Sequence, residues 1–161
     1  MARMATADGT VITSVEQLKT YVGKETRVGE WHLVTQEEIN QFADATGDHQ
    51  WIHVDIERAK TGPFKGTIAH GYWTLSAASF LLRGGEGITV RLPSRMGINY
   101  GLNRLRFPSP VPAGSSVRGT FTLNDLKTVE GGVQALVGFE VRVDGATKPA
   151  AAGEAVFNYY L

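Results

Sequence analysis

The chain contains no cysteine among its 161 residues. That excludes disulfides and every metal site built on thiolate, and it is compatible with a reducing compartment. Charge of one sign is not in excess either: 16 Lys and Arg are balanced by 16 Asp and Glu. A nucleic-acid surface driven by net charge is therefore not expected. Long hydrophobic runs are missing as well. The N-terminal MARMATADGTVITS lacks the continuous apolar core of a signal peptide. The most apolar stretch, Tyr72 to Leu82, is interrupted by Thr74, Ser76 and Ser79. It falls short of the roughly 20 residues that a bilayer crossing takes. The expectation is a soluble, cytoplasmic protein with no membrane or nucleic-acid partner.

What is present is a globular composition, 42% hydrophobic and 20% charged, unlike that of disordered chains. The length suits one domain, since domains run to about 100–200 residues. We expect a single domain over 1–161, with residues 1–13 as a loose lead-in. No internal repeat interrupts it.

Two capping boxes mark helix starts. Ser14-Val15-Glu16-Gln17 predicts a short helix to Val22, stopped by Gly23. Thr35-Gln36-Glu37-Glu38 predicts a second helix that buries Ile39, Phe42 and Ala43 and stops at Gly47. A strand is expected over 25–34, and Asp55 is placed to cap a short helix over 56–60. Gly71 opens a helix to about Arg83 that is apolar on nearly every face, which implies burial all round. Strands follow over 88–92, 97–107, 116–129, 133–143 and 151–160, with Glu130-Gly131-Gly132 and Asp144-Gly145 as hairpin turns. An antiparallel sheet curled around one buried helix satisfies both patterns, so the fold class is α+β. The open sheet edges suit a homodimer.

Chemistry concentrates between Thr46 and Ser79. Asp48 and His53 are five apart, about 140° around an unbroken helix, so they converge only if the chain bends; Gly47 allows that. An acid and an imidazole sharing one water form an acid–base unit that needs no cofactor. Singly, Asp48 reads as a turn residue and His53 as a half-buried structural histidine. As a pair beside Trp51 and Ile52, they favour chemistry, with burial shifting their pKa values. His49 and His53 have a metal-ligand spacing, but the zinc-protease motif needs Glu where Gln50 stands, and Gly47 opposes a helix there. No metal site is expected. His32 has no companion and reads as a strand histidine.

Gly71 leaves unpartnered amides at the positive end of its helix, suited to an oxygen that gains charge. Its plainer reading is a tight turn. His70 could orient that turn but is read as filling space. Ser76 and Ser79 are read first as bonding back to preceding carbonyls. Arg83 to Gly87, RGGEG, lies after a helix and before a strand, the reverse of a dinucleotide loop. Arg104 and Arg106 could meet a phosphate or form surface ion pairs.

Gly47-Asp48-His49-Gln50-Trp51-Ile52-His53, followed by Ala59, resembles the hydratase 2 motif of the MaoC-like dehydratases, the (R)-specific enoyl-CoA hydratases. That pattern is G-D-x-N-P-aliphatic-H, five residues and a small one. The chain departs from it at Gln50 and Trp51. Together with GPFKGTIAHG and NYGLNRLRFPSPVPAGS, the motif is similar to the branch with nodulation protein N-like members, over roughly residues 20–160. The resemblance implies a hotdog fold, usually dimeric, and water addition across trans-2-enoyl-CoA to give (R)-3-hydroxyacyl-CoA. The substrate would be a thioester of CoA or of acyl carrier protein, and no cofactor is implied. By matching position, Asp48 and His53 are the catalytic pair, Gly71 offers its amide to the thioester oxygen, and Ser79 is a supporting serine. A hotdog thioesterase and a non-catalytic acyl-CoA-binding module are the alternatives, the latter because of Gln50 and Trp51.

Overall fold

The computed structural model describes residues 9–161. Of the expected lead-in, residues 1–8 lie outside the described residues. The rest is not loose: Val11–Ile12 form a short strand, β1, with Ile12 buried. The first capping box forms as expected. Ser14 accepts from the Gln17 amide at 3.2 Å, and Gln17 Oε1 accepts from the Ser14 amide at 3.2 Å. The helix it opens, α1 (Val15–Lys19), is shorter than expected, because the chain turns at Thr20 before reaching Gly23.

The strand expected over 25–34 is two strands, β2 (Lys24–Val28) and β3 (His32–Leu33). The break is imposed by a close approach: a Cβ on Gly29 would sit 2.1 Å from the Leu81 carbonyl oxygen. The second capping box, Thr35 with Glu38, opens α2 (Gln36–Thr46), which buries Ile39 and Ala43. Gly47 ends it with φ 77, its amide donating to the Ala43 carbonyl at 2.8 Å. That left-handed stop suits glycine, which has no Cβ to clash. A short helix that the sequence did not announce, α3 (Trp51–Val54), follows. Asp55 then caps α4 (Ile56–Lys60) through the Arg58 amide, as expected.

The apolar helix is α5 (Gly71–Leu81). Short strands β4 (Glu86–Gly87) and β5 (Thr89–Val90) come next, and then β6 (Met96–Arg106), β7 (Ser116–Val129), β8 (Gly132–Val143) and β9 (Ala151–Tyr160). The main sheet runs β4-β2-β7-β8-β9-β6, antiparallel throughout, with β3 also on β7. β1 pairs with β5 in parallel, apart from it.

α5 lies against the sheet through Trp73, Ala77 and Leu81, which share a core with Val117, Phe121, Phe139 and Val141. This is the α+β arrangement of a sheet around a helix. The helix is not buried all round, however. Tyr72 is 69% exposed, and Ser76, Ser79 and Phe80 are exposed too. A single sheet covers only one side of a helix, so the apolar residues on the far side of α5 have no cover among the described residues.

Candidate active site

The left-handed stop at Gly47 throws the chain out of α2 into an irregular segment, 47–50. α3 then carries His53 inward, to 6% exposure. One backbone bond and one side-chain bond hold α3 against Ile68. The Ile68 amide donates to the Ile52 carbonyl at 3.0 Å, and His53 Nδ1 donates to the Ile68 carbonyl at 2.7 Å. A carbonyl can only accept, so Nδ1 carries the proton and the Nε2 lone pair is left free. Gln36, at the start of α2, adds a further tie. Its Nε2 donates to the His53 carbonyl at 2.7 Å, and its Oε1 accepts from the Thr67 hydroxyl.

Asp48 is exposed, so burial reaches only one member of the expected pair. Its Oδ1 accepts from the Gln50 amide at 3.3 Å, closing a small turn. A carboxylate oxygen of Asp48 and one ring nitrogen each of His53 and His70 lie within 4.8 Å of one another. Two hydrogen bonds of 2.8 Å meeting at a tetrahedral water would set their partners about 4.6 Å apart. The 4.8 Å limit is compatible with one water shared by acid and imidazole.

His70 is the residue that the sequence reading undervalued. It is 3% exposed, and its ring stacks on His53 with centroids 3.8 Å apart and planes 25° apart. Its Nε2 donates to the Asp48 carbonyl at 2.9 Å. Three groups of this kind could suggest a metal. The near-parallel imidazoles argue against it, because their in-plane lone pairs run side by side instead of converging on one ion. His49 is turned away, with Nε2 2.8 Å from Asp44 Oδ1, and that hydrogen bond raises its pKa. His32 does have a companion: Nε2 lies 2.9 Å from Glu38 Oε1.

Burial lowers the His53 pKa from its ordinary 6.5, and the neighbouring His70 adds to the effect. The bond to the Ile68 carbonyl and the Asp48 charge oppose it. The folded chain thus resists a proton that the unfolded chain accepts near pH 6.5. This group's contribution to stability is complete above 6.5 and is lost as pH falls through the lower, folded value. In a His49→Gln background, which removes the opposing contribution of that raised imidazole, urea unfolding between pH 8 and 5 is expected to show the free energy declining only below about 6.5. A rise on acidification would show that the imidazole is not desolvated.

Gly71 begins α5, and its N-cap residue His70 gives the first turn no side-chain bond. The space a Cβ would need is taken by the Phe107 ring, 3.0 Å away. Ser76 bonds back to the Tyr72 carbonyl at 2.8 Å, the plain reading. Ser79 is not brought to Asp48 and His53. It is about 12 Å along the helix from Gly71, on a cleft of about 360 Å³ between α5 and the sheet, with Leu75, Leu82, Leu102 and Phe157 among its walls. A neighbouring cavity of about 470 Å³ shares Leu82, Val137 and Phe157 with it. Arg104 and Arg106 are exposed on edge strand β6, and Arg104 has φ 54. Neither joins an ion pair among the described residues. Where the family pattern has Asn-Pro, Trp51 packs under the Arg58 guanidinium, 4.4 Å from its ring centroid. No helix among the described residues is long and apolar enough to cross a membrane.

Against known proteins, a family model described as MaoC like domain matches residues 17–143. The 3-hydroxyacyl-thioester dehydratase Z of Mycobacterium tuberculosis is 48% identical over 147 residues, 91% of this chain and 95% of that protein. Nodulation protein N of Rhizobium leguminosarum bv. viciae is 44% identical over 132 residues, 81% of this chain and 80% of that one. Among solved structures, the (R)-hydratase from A. caviae aligns with a TM-score of 0.63 at 26% identity, covering 81% of this chain and 95% of that one.

Proposed function

Since the chain belongs to the MaoC-like dehydratase family, we propose that it interconverts trans-2-enoyl-CoA and (R)-3-hydroxyacyl-CoA by reversible hydration. The observation that carries this reading is the approach of a His53 ring nitrogen and an Asp48 carboxylate oxygen to within 4.8 Å of each other, with the His53 Nδ1 bond to the Ile68 carbonyl leaving Nε2 as the basic nitrogen. The (R) outcome is supported by likeness to a protein named as an (R)-hydratase.

In the hydration direction, Asp48 and His53 hold the water. One of them takes a proton from it as its oxygen bonds to the β-carbon, and a proton is returned to the α-carbon. The sum is one water added across the double bond, with no cofactor. As the oxygen attacks, charge moves onto the thioester oxygen. The Gly71 amide, at the positive end of α5, is placed in this scheme to stabilise it. The acyl chain lies in the cleft beside Ser79, whose role is lining. Arg104 and Arg106 are offered to the phosphates of CoA.

The assay is loss of enoyl absorbance with crotonyl-CoA and longer enoyl-CoAs, followed by chiral analysis of the product. No turnover at any length, with folded protein present, would sink the proposal. Release of free CoA would point to a thioesterase, and binding without turnover to an acyl-binding module.

A homodimer belongs to this reading. Met96, Tyr100 and Leu102 are exposed on edge strand β6, and Tyr72 and Phe80 on α5. Apolar side chains beside an unpaired strand edge suit a second copy. Sedimentation is expected to give twice the mass of one chain, with Tyr100→Glu shifting it toward a single chain. A monomeric wild type would overturn the dimer and leave the reaction to its own assay.

A further inference from the structure

We infer that His70 is a positioning residue that sets Asp48 against His53 through one N–H bond to the Asp48 backbone; the inference rests on the hydration reading above. The ring packs against two others, His53 with centroids 3.8 Å apart and Phe42 of α2 at 5.1 Å. It is itself the residue before α5. One side chain therefore touches α2, the 47–50 segment, α3 and the start of α5.

Space filling does not account for an imidazole here. The Asp48 carbonyl can only accept, so His70 Nε2 must carry the proton. Nδ1 is then an acceptor, buried with no partner among the described residues. An unsatisfied buried acceptor is unfavourable, and a phenylalanine or leucine would fill the same volume without it. What only the histidine supplies is the N–H to Asp48. Asp48 sits on irregular backbone just past a helix stop, where local hydrogen bonds are few: its own amide reaches Thr46 Oγ1 at 3.4 Å, and its Oδ1 holds the Gln50 amide. The His70 bond links that segment to α5, the element whose first amide is assigned to the thioester oxygen. Acid, imidazole and carbonyl donor are thereby held in one frame.

Two variants separate the donor from the ring. His70→Phe keeps the stack and lacks the N–H. His70→Gln loses the stack, but its amide reaches as far as Nε2. We expect kcat to fall about 100-fold in His70→Phe, as a displaced catalytic group would, with KM little changed and most of the activity restored in His70→Gln. A His70→Phe chain as active as wild type, or equal losses in both variants, would overturn the inference. Exchange of the Gln50 amide reads the same contact without turnover, and should be faster in His70→Phe than in His70→Gln. If the wild type hydrates nothing, the proposed reaction fails, and this exchange still decides the positioning role. If His70→Phe does not fold, nitrogen-15 shifts of the wild-type ring decide: the Nε2–H tautomer is expected, and the Nδ1–H tautomer overturns the inference.

Discussion

His53→Asn is expected to lower kcat for enoyl-CoA hydration by about 10³-fold, within the range that a positioned acid–base group supplies. Asparagine is the informative choice. Its amide nitrogen falls near the place of Nδ1, so the bond to the Ile68 carbonyl can persist while the basic Nε2 is lost. Asp48→Asn is expected to cost a similar factor. Its amide oxygen can still accept from Gln50, so the turn survives and only the charge goes. If both residues act on one water, the double variant is little worse than either single one, because residues that work as a unit do not add. Progress curves on the three variants, with melting curves to show that each is folded, make the measurement. Near-normal rates in either single variant would remove that residue from the acid–base assignment. Losses that multiply would show that the two act separately.

Trp73→Ala is expected to destabilise the fold by about 3–5 kcal/mol, as removal of a buried large aromatic does. Against a total of about 5–15 kcal/mol for ordinary domains, that leaves little margin. Trp73 is 6% exposed and belongs to the core beneath the sheet. Its neighbour Tyr72 is 69% exposed. In the Tyr100→Glu chain, expected to be a single chain, Tyr72→Ala should stay within about 0.5 kcal/mol in urea unfolding. The contrast tests which face of α5 meets the sheet. Both residues are large and aromatic, and only rotation of about 100° along the helix separates their fates. Similar losses for the two would show that α5 is enclosed, and that its outer face finds its cover in something other than a second copy.

Local signals carried far in this chain. Both capping boxes open the helices they announce, because each satisfies its first-turn amides from within four residues. The strands over 96–106, 116–129, 132–143 and 151–160 differ from the expected limits by a residue at most. The expectations that moved did so where distant parts of the chain meet. Gly29 splits a strand because the end of α5 comes close to it. α3 forms beyond Gly47 because a backbone bond and the His53 ring tie it to Ile68 and the Gln36 side chain holds it, and those partners are not visible in the sequence around His53. Ile12 is buried because β5, far along the chain, lies beside it.

For the site, the motif picked out Asp48, His53 and Gly71; the structure brings a carboxylate oxygen of Asp48 near ring nitrogens of His53 and His70. It did not mark His70. A histidine before a glycine at a helix start is compatible with filler, and its partners lie 17 and 22 residues back at His53 and Asp48. Gln36 was hidden in the same way inside a capping box, where its neighbours Thr35 and Glu38 accounted for the pattern.

The sequence by itself determined the capped helices, the long strands, the α+β class and the family, because caps, period-two strands and the Gly-Asp-to-His spacing are short-range patterns. Only the tertiary structure decided which nitrogen of His53 is free, which face of α5 is covered and what His70 touches. Each of those depends on a partner brought near by folding, and a hydrogen bond or a packed face exists only when both partners are in place.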